Sequence, residues 1–263
     1  MNNTDIIVLT LFSSLDNVSV YAIYNLVVTG VKQAFLTLTT GISSLIGNML
    51  AKDEIELLNK TFSKLEWLIH TGCALLFGIT LVLIVPFVEV YTVGINDVNY
   101  IVPVFGWLIT LAQAIYCIRI PYNIVVLAAG HYKQTQVSAI VEMCINIIVS
   151  CVLVIRFGLV GVAIGTLLAM SYRTIYFSWY LSKNILFRSI KYFYKHVFVD
   201  IISIILIFGL TSSIRMTQIT YIAWVIYATK VGFVALIIVL VINILLYREI
   251  IISFVKDILN KPY

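Results

Sequence analysis

Apolar residues fill this chain in long blocks, and the first complete block is the most informative. Val18 to Ala51 runs 34 residues with one charge, Lys32, near its middle. As a single α-helix it would be about 51 Å long, against a hydrocarbon core of about 30 Å. Tyr21, Asn25, Lys32, Thr39 and Ser43 recur at helical spacing as a polar stripe. Gly30, Ala34, Thr37, Gly41 and Ser44 form a stripe of small residues on roughly the opposite side. Small stripes let helix backbones approach closely within membranes, so this face is expected to pack. A lysine stem cannot reach either surface from the centre of such a span. The polar face with Lys32 is therefore expected to line a wet cavity.

Six further blocks follow, at about 65–90, 101–129, 137–155, 159–181, 197–210 and 221–246. Together with 18–51 they predict seven complete membrane spans, an all-α bundle. Residues 1–16 read as the end of a truncated membrane helix, with a single seven-residue apolar run after Asp5. Pro103 suits a first helical turn, whereas Pro121 predicts a kink after Arg119. RFG (156–158) predicts a hairpin, and the stretches 52–64 and 182–196 read as connectors. Residues 248–263 form a tail in which Ile251, Phe254, Val255 and Ile258 share one face of an interfacial helix.

Composition agrees with this pattern. Hydrophobic residues make up 62% and charged residues 11%, with a mean hydropathy of +1.06. That profile belongs to polytopic membrane proteins and leaves no solvated basic face for nucleic acid. Cys73, Cys117, Cys144 and Cys151 fall inside apolar blocks without CxxC spacing, which argues against a disulfide frame or metal site. Cations are unevenly divided among the connectors. One alternating set carries Lys52, Lys60, Lys64, Lys133, Lys183, Arg188, Lys191, Lys195, Arg248, Lys256 and Lys261; the other carries only Arg156 and Arg215. The positive-inside rule then places the first set, and the C-terminus, in the cytoplasm.

Four cations remain within spans, Lys32, Arg119, Arg173 and Lys230, and Glu142 is read as the anion lying well inside one. Each such charge costs on the order of 2.5–3.5 kcal/mol at mid-bilayer and needs a reason. Glu142 shares a stripe with Thr135, Ser138 and Asn146, which predicts a hydrated interior in which Glu142 pairs with one of the cations. The surplus cations predict an anionic ligand, with Lys32, Arg119, Lys230, Arg173, Asn25 and Glu142 as its candidate site. His70, His131 and His196 are read as interface residues.

The runs VSVYAIYNLVV, GISSLIGNMLAKDE, VPFVEVYTVGINDVNY, PYNIVVLAAGHYKQTQ and RFGLVGVAIGTLLAMSYR resemble bacterial polysaccharide flippases. These belong to the superfamily of multidrug and toxin extruders, oligosaccharide-lipid flippases and the lipid II flippase. The resemblance implies two helical lobes around a cavity that opens alternately to each side. It implies a substrate of undecaprenyl-diphosphate-linked oligosaccharide, moved across the bacterial cytoplasmic membrane for polysaccharide assembly, with no cofactor. Residues 17–247 match the second lobe, so a first lobe and polysaccharide assembly proteins are the implied partners besides membrane lipids. A multidrug antiporter would favour carboxylates in the cavity, and a lipid II flippase shares the anionic substrate. A glycosyltransferase or polymerase needs acid or base residues in a sizeable outer loop, where Asp97 is the clear carboxylate. A truncated product without activity of its own is the remaining alternative.

Overall fold

The computed structural model describes residues 2–39 and 41–259, and they are helical almost throughout. The helices are α1 (Asn2–Phe12), α2 (Leu15–Leu38), α3 (Ile42–Ala51), α4 (Ile55–Tyr91), α5 (Pro103–Ala128), α6 (Tyr132–Asn184), α7 (Lys191–Thr211), α8 (Tyr221–Leu246) and α9 (Arg248–Leu259). Among the described residues, five are long and apolar enough to cross a membrane, or six if the bent pair α2–α3 is one span. The chain is thus an all-α protein of membrane character.

The long first block is not one helix. It bends by 44° between α2 and α3, where Gly41 takes a left-handed φ of 88° that other residues adopt only with strain. Its predicted faces are also exchanged. Val20, Tyr21, Tyr24, Val28 and Phe35 are buried, whereas Gly30, Ala34, Gly41 and Ser44 are exposed. The aromatic residues offer far more apolar area than the small ones, and Tyr21 finds a polar partner for its hydroxyl.

Other boundaries move for a similar reason. Helix α4 starts at Ile55, within the predicted connector, because Leu58, Phe62 and Glu66 recur every four residues and are all buried. Helix α7 likewise starts at Lys191, burying Phe193 and His196. Helix α5 begins with Pro103 as predicted and remains helical through Pro121.

Helix α6 is a hairpin. Gly158 interrupts it with φ 53° and ψ −129°, and the arms 132–157 and 159–184 fold back on one another. Asn146 Nδ2 donates to Thr166 Oγ1 at 3.0 Å, although twenty residues along a straight helix would separate them by about 30 Å. Gly165 permits this approach, since a β-carbon there would collide with Ser150.

Helices α4 and α5 pack together at the centre. Helices α1, α2 and α6 cover one side, and α7 and α8 cover the other. The tail helix α9 packs against this second side, with Phe254 edge-on to Trp67 at 5.7 Å. Its Ile251 joins the same cluster, while the Val255 and Ile258 side chains lie outside the described residues.

Candidate functional site

Four of the six candidate residues converge between α2, α5 and the two arms of α6. Arg119 Nη1 donates to Glu142 Oε1 at 2.7 Å, and Arg173 Nη1 donates to Glu142 Oε2 at 2.5 Å. Each arm of the hairpin contributes one member, and α5 supplies the third. Tyr116, one turn before Arg119, ties in the fourth. Its ring lies 4.9 Å from the Arg119 guanidinium carbon and 5.3 Å from Lys32 Nζ. Arg173 also rests over Phe177 at 5.2 Å.

Burial makes the cluster electrostatically expensive. Arg119 and Glu142 are 7% and 4% exposed, and the Arg173 side chain is 25% exposed. Charge-assisted hydrogen bonds satisfy both carboxylate oxygens, as such a site demands. Two guanidiniums nevertheless share one carboxylate, and Lys32 joins the cluster through the Tyr116 ring, so formal cations outnumber the Glu142 carboxylate. Arg173 Nε is buried and has no hydrogen-bond partner among the described residues.

Two candidates stand apart. Asn25 is half-buried on α2, where its amide oxygen accepts from Thr29 Oγ1 at 3.3 Å, two turns before Lys32. Lys230 is exposed on α8 and lines a different cavity with Arg215. The stripe Thr135, Ser138, Glu142 and Asn146 is a packed seam rather than a wet wall, each member 4% exposed or less. Neighbouring helix groups, including Asp5 on α1, meet most of its polar atoms, while Asn146 Oδ1 is buried without a hydrogen-bond partner among the described residues. The Asp5 carboxylate accepts from Tyr21 Oη at 3.1 Å, Thr166 Oγ1 at 3.0 Å and Asn146 Nδ2 at 3.3 Å.

A second charged network escaped the sequence reading. Glu66 accepts from Tyr122 Oη at Oε1 and from Arg188 Nη2 at Oε2, both at 2.6 Å. His70 Nδ1 donates to Asp200 Oδ2 at 2.5 Å. The Tyr122 hydroxyl donates to Glu66, and His70 Nε2 lies 3.3 Å from the same oxygen. His196 stacks on His70 with ring centres 5.0 Å apart, and its Nδ1 lies 2.8 Å from Tyr247 Oη. Glu142 is therefore not alone: Glu66, Asp200 and Asp5 are buried acids as well. Glu66/His70 and His196/Asp200 are each spaced i, i+4, a sequence signal for acid and imidazole on one helix face. His70 and His196 are accordingly core residues, not interface residues.

No protein-family model matches the chain, and neither a curated protein nor a solved structure does.

Proposed function

We propose that the chain is one lobe of a membrane transporter for lipid-linked oligosaccharides, of the polysaccharide flippase kind. The observation that carries this reading is the cation surplus around Glu142, formed by Lys32, Arg119 and Arg173. A substrate diphosphate supplies the missing negative charge. Arginine grips phosphate oxygens through parallel hydrogen bonds, and lysine adds a compact charge. A carrier of cationic drugs requires the opposite balance, so the surplus argues against that rival. The lipid II substrate carries the same diphosphate chemistry and belongs to the same reading.

In this account α6 contributes two spans and the bent α2–α3 pair contributes one, giving seven with the C-terminus in the cytoplasm. Reporters fused at Phe157 and Phe187, at opposite ends of the second arm of α6, should then report opposite sides of the membrane. Finding both on one side overturns the span assignment. A second lobe completes the cavity, with the exposed small residues of α2 toward it.

Binding tests the function itself. The chain in lipid nanodiscs should hold undecaprenyl diphosphate at least about tenfold more tightly than undecaprenol, the increment expected of charge-assisted hydrogen bonds. Equal affinity for the charged and the neutral lipid would refute an anionic substrate.

A further inference from the structure

A second cationic site lies where α7 turns into α8. Residues 212–220 make this turn, and Thr220 caps α8 by accepting from the Ala223 backbone N–H. A cavity of about 420 Å³ opens here, lined by Arg215, Thr217, Gln218, Thr220, Tyr227 and Lys230 among others. Both charged groups are cations, and no carboxylate lines the cavity among the described residues.

The local structure brings both cations to the cavity. Ile214 and Met216 pack on the apolar cluster of Leu83, Tyr227 and Val231, which holds the intervening Arg215 at the cavity. Lys230 lies nine residues beyond Tyr221, roughly 14 Å along α8. Helical side chains lean toward the N-terminus, so the lysine stem is directed back toward Arg215 and the start of the helix. Its other wall residues, Ala223, Ile226 and Tyr227, are the two turns it spans. Neither cation has a hydrogen-bond or ion-pair partner among the described residues. The start of a 26-residue helix adds the positive end of its dipole to the same cavity.

We infer that the Arg215–Lys230 cavity binds a phosphate group. Its position at the junction of two candidate spans puts it at headgroup level, where phosphate esters of membrane lipids are the concentrated anions. Hydroxyls of Thr217 and Thr220 and the Gln218 amide provide neutral hydrogen bonds to the remaining oxygens. The site is independent of the Glu142 cluster and does not rest on the transport reading.

The full chain, purified in a neutral detergent, is titrated separately with a short-chain phosphatidylglycerol and with inorganic diphosphate, and binding is followed by calorimetry. Lys230→Gln and Arg215→Gln should each weaken binding about fivefold, the increment of one basic residue near a lipid surface. The double variant should weaken it more, and Lys230→Arg should restore it. Removing an exposed charge from an apolar helix leaves the fold intact, which unchanged helical circular dichroism verifies. Loss confined to the phosphatidylglycerol titration identifies a lipid headgroup, and loss confined to diphosphate identifies a soluble anion. Undiminished binding of both ligands by the double variant overturns the site. So does an equal loss on Lys133→Gln, an exposed lysine elsewhere, because attraction would then be a matter of general charge.

Discussion

The two buried charge clusters obey different electrostatic rules. Around Glu66 and Asp200, two carboxylates meet Arg188 and the His70 imidazole. Tyr122 joins the two halves through its hydroxyl, although Arg188 Nε, like Arg173 Nε in the other cluster, is buried without a hydrogen-bond partner among the described residues. Around Glu142, one carboxylate serves two guanidiniums, with Lys32 nearby and a guanidinium nitrogen left over. The acid-rich cluster joins helices α4, α5 and α7. The cation-rich one carries positive charge into a low-dielectric interior, which an anionic ligand offsets in the proposed function. The two differ in the ratio of acids to cations and not in burial, since both are buried.

The largest expected effect comes from removing the shared acid. Glu142→Gln removes the carboxylate that pairs with Arg119 and Arg173 and should destabilise the chain by about 3–5 kcal/mol, the cost of breaking a buried ion pair. Asp200→Asn is the matched change in the acid-rich network. Its amide oxygen still accepts from His70, so the loss should be about 1–3 kcal/mol. Denaturant unfolding in one detergent ranks the two variants. A larger loss at Asp200 would reverse the assignment of which cluster is electrostatically loaded.

What the sequence made legible follows from how local each signal is. Helix α8 matches its predicted bounds because an uninterrupted apolar run needs no tertiary information. The hairpin at Gly158 was equally readable, since a short polar turn between two apolar blocks leaves the chain few choices. The start of α4 was missed because its lysines and glutamates suggest a connector. The buried face of Leu58 and Phe62 emerges only against α5 and α7. The faces of α2 were exchanged for the same reason: the composition of a stripe does not say which neighbour will cover it. Lys32, Arg119, Arg173 and Glu142 were recognised as costly charges, and the fold brings them together. Lys230 was costly too, but helix packing assigns it to another cavity. The Glu66 network combines α4, α5, α7 and the 185–190 segment, so its balance is invisible along any one helix.

The central claim is that the cation-rich cluster holds an anion, and Lys32 isolates it. Unlike Arg119 and Arg173, Lys32 carries no ion pair among the described residues; its contact is the Tyr116 ring at 5.3 Å. Lys32→Gln should therefore cost under about 1 kcal/mol of stability, the scale of a cation–π contact. Its effect on ligand should be far larger. The decisive measurement is the affinity of the Lys32→Gln chain for undecaprenyl diphosphate in nanodiscs, compared with the unchanged chain. An affinity about tenfold weaker, with unfolding unchanged, is the result this account predicts. Undiminished affinity in an intact variant would contradict it and leave Lys32, Arg119 and Arg173 as structural charges.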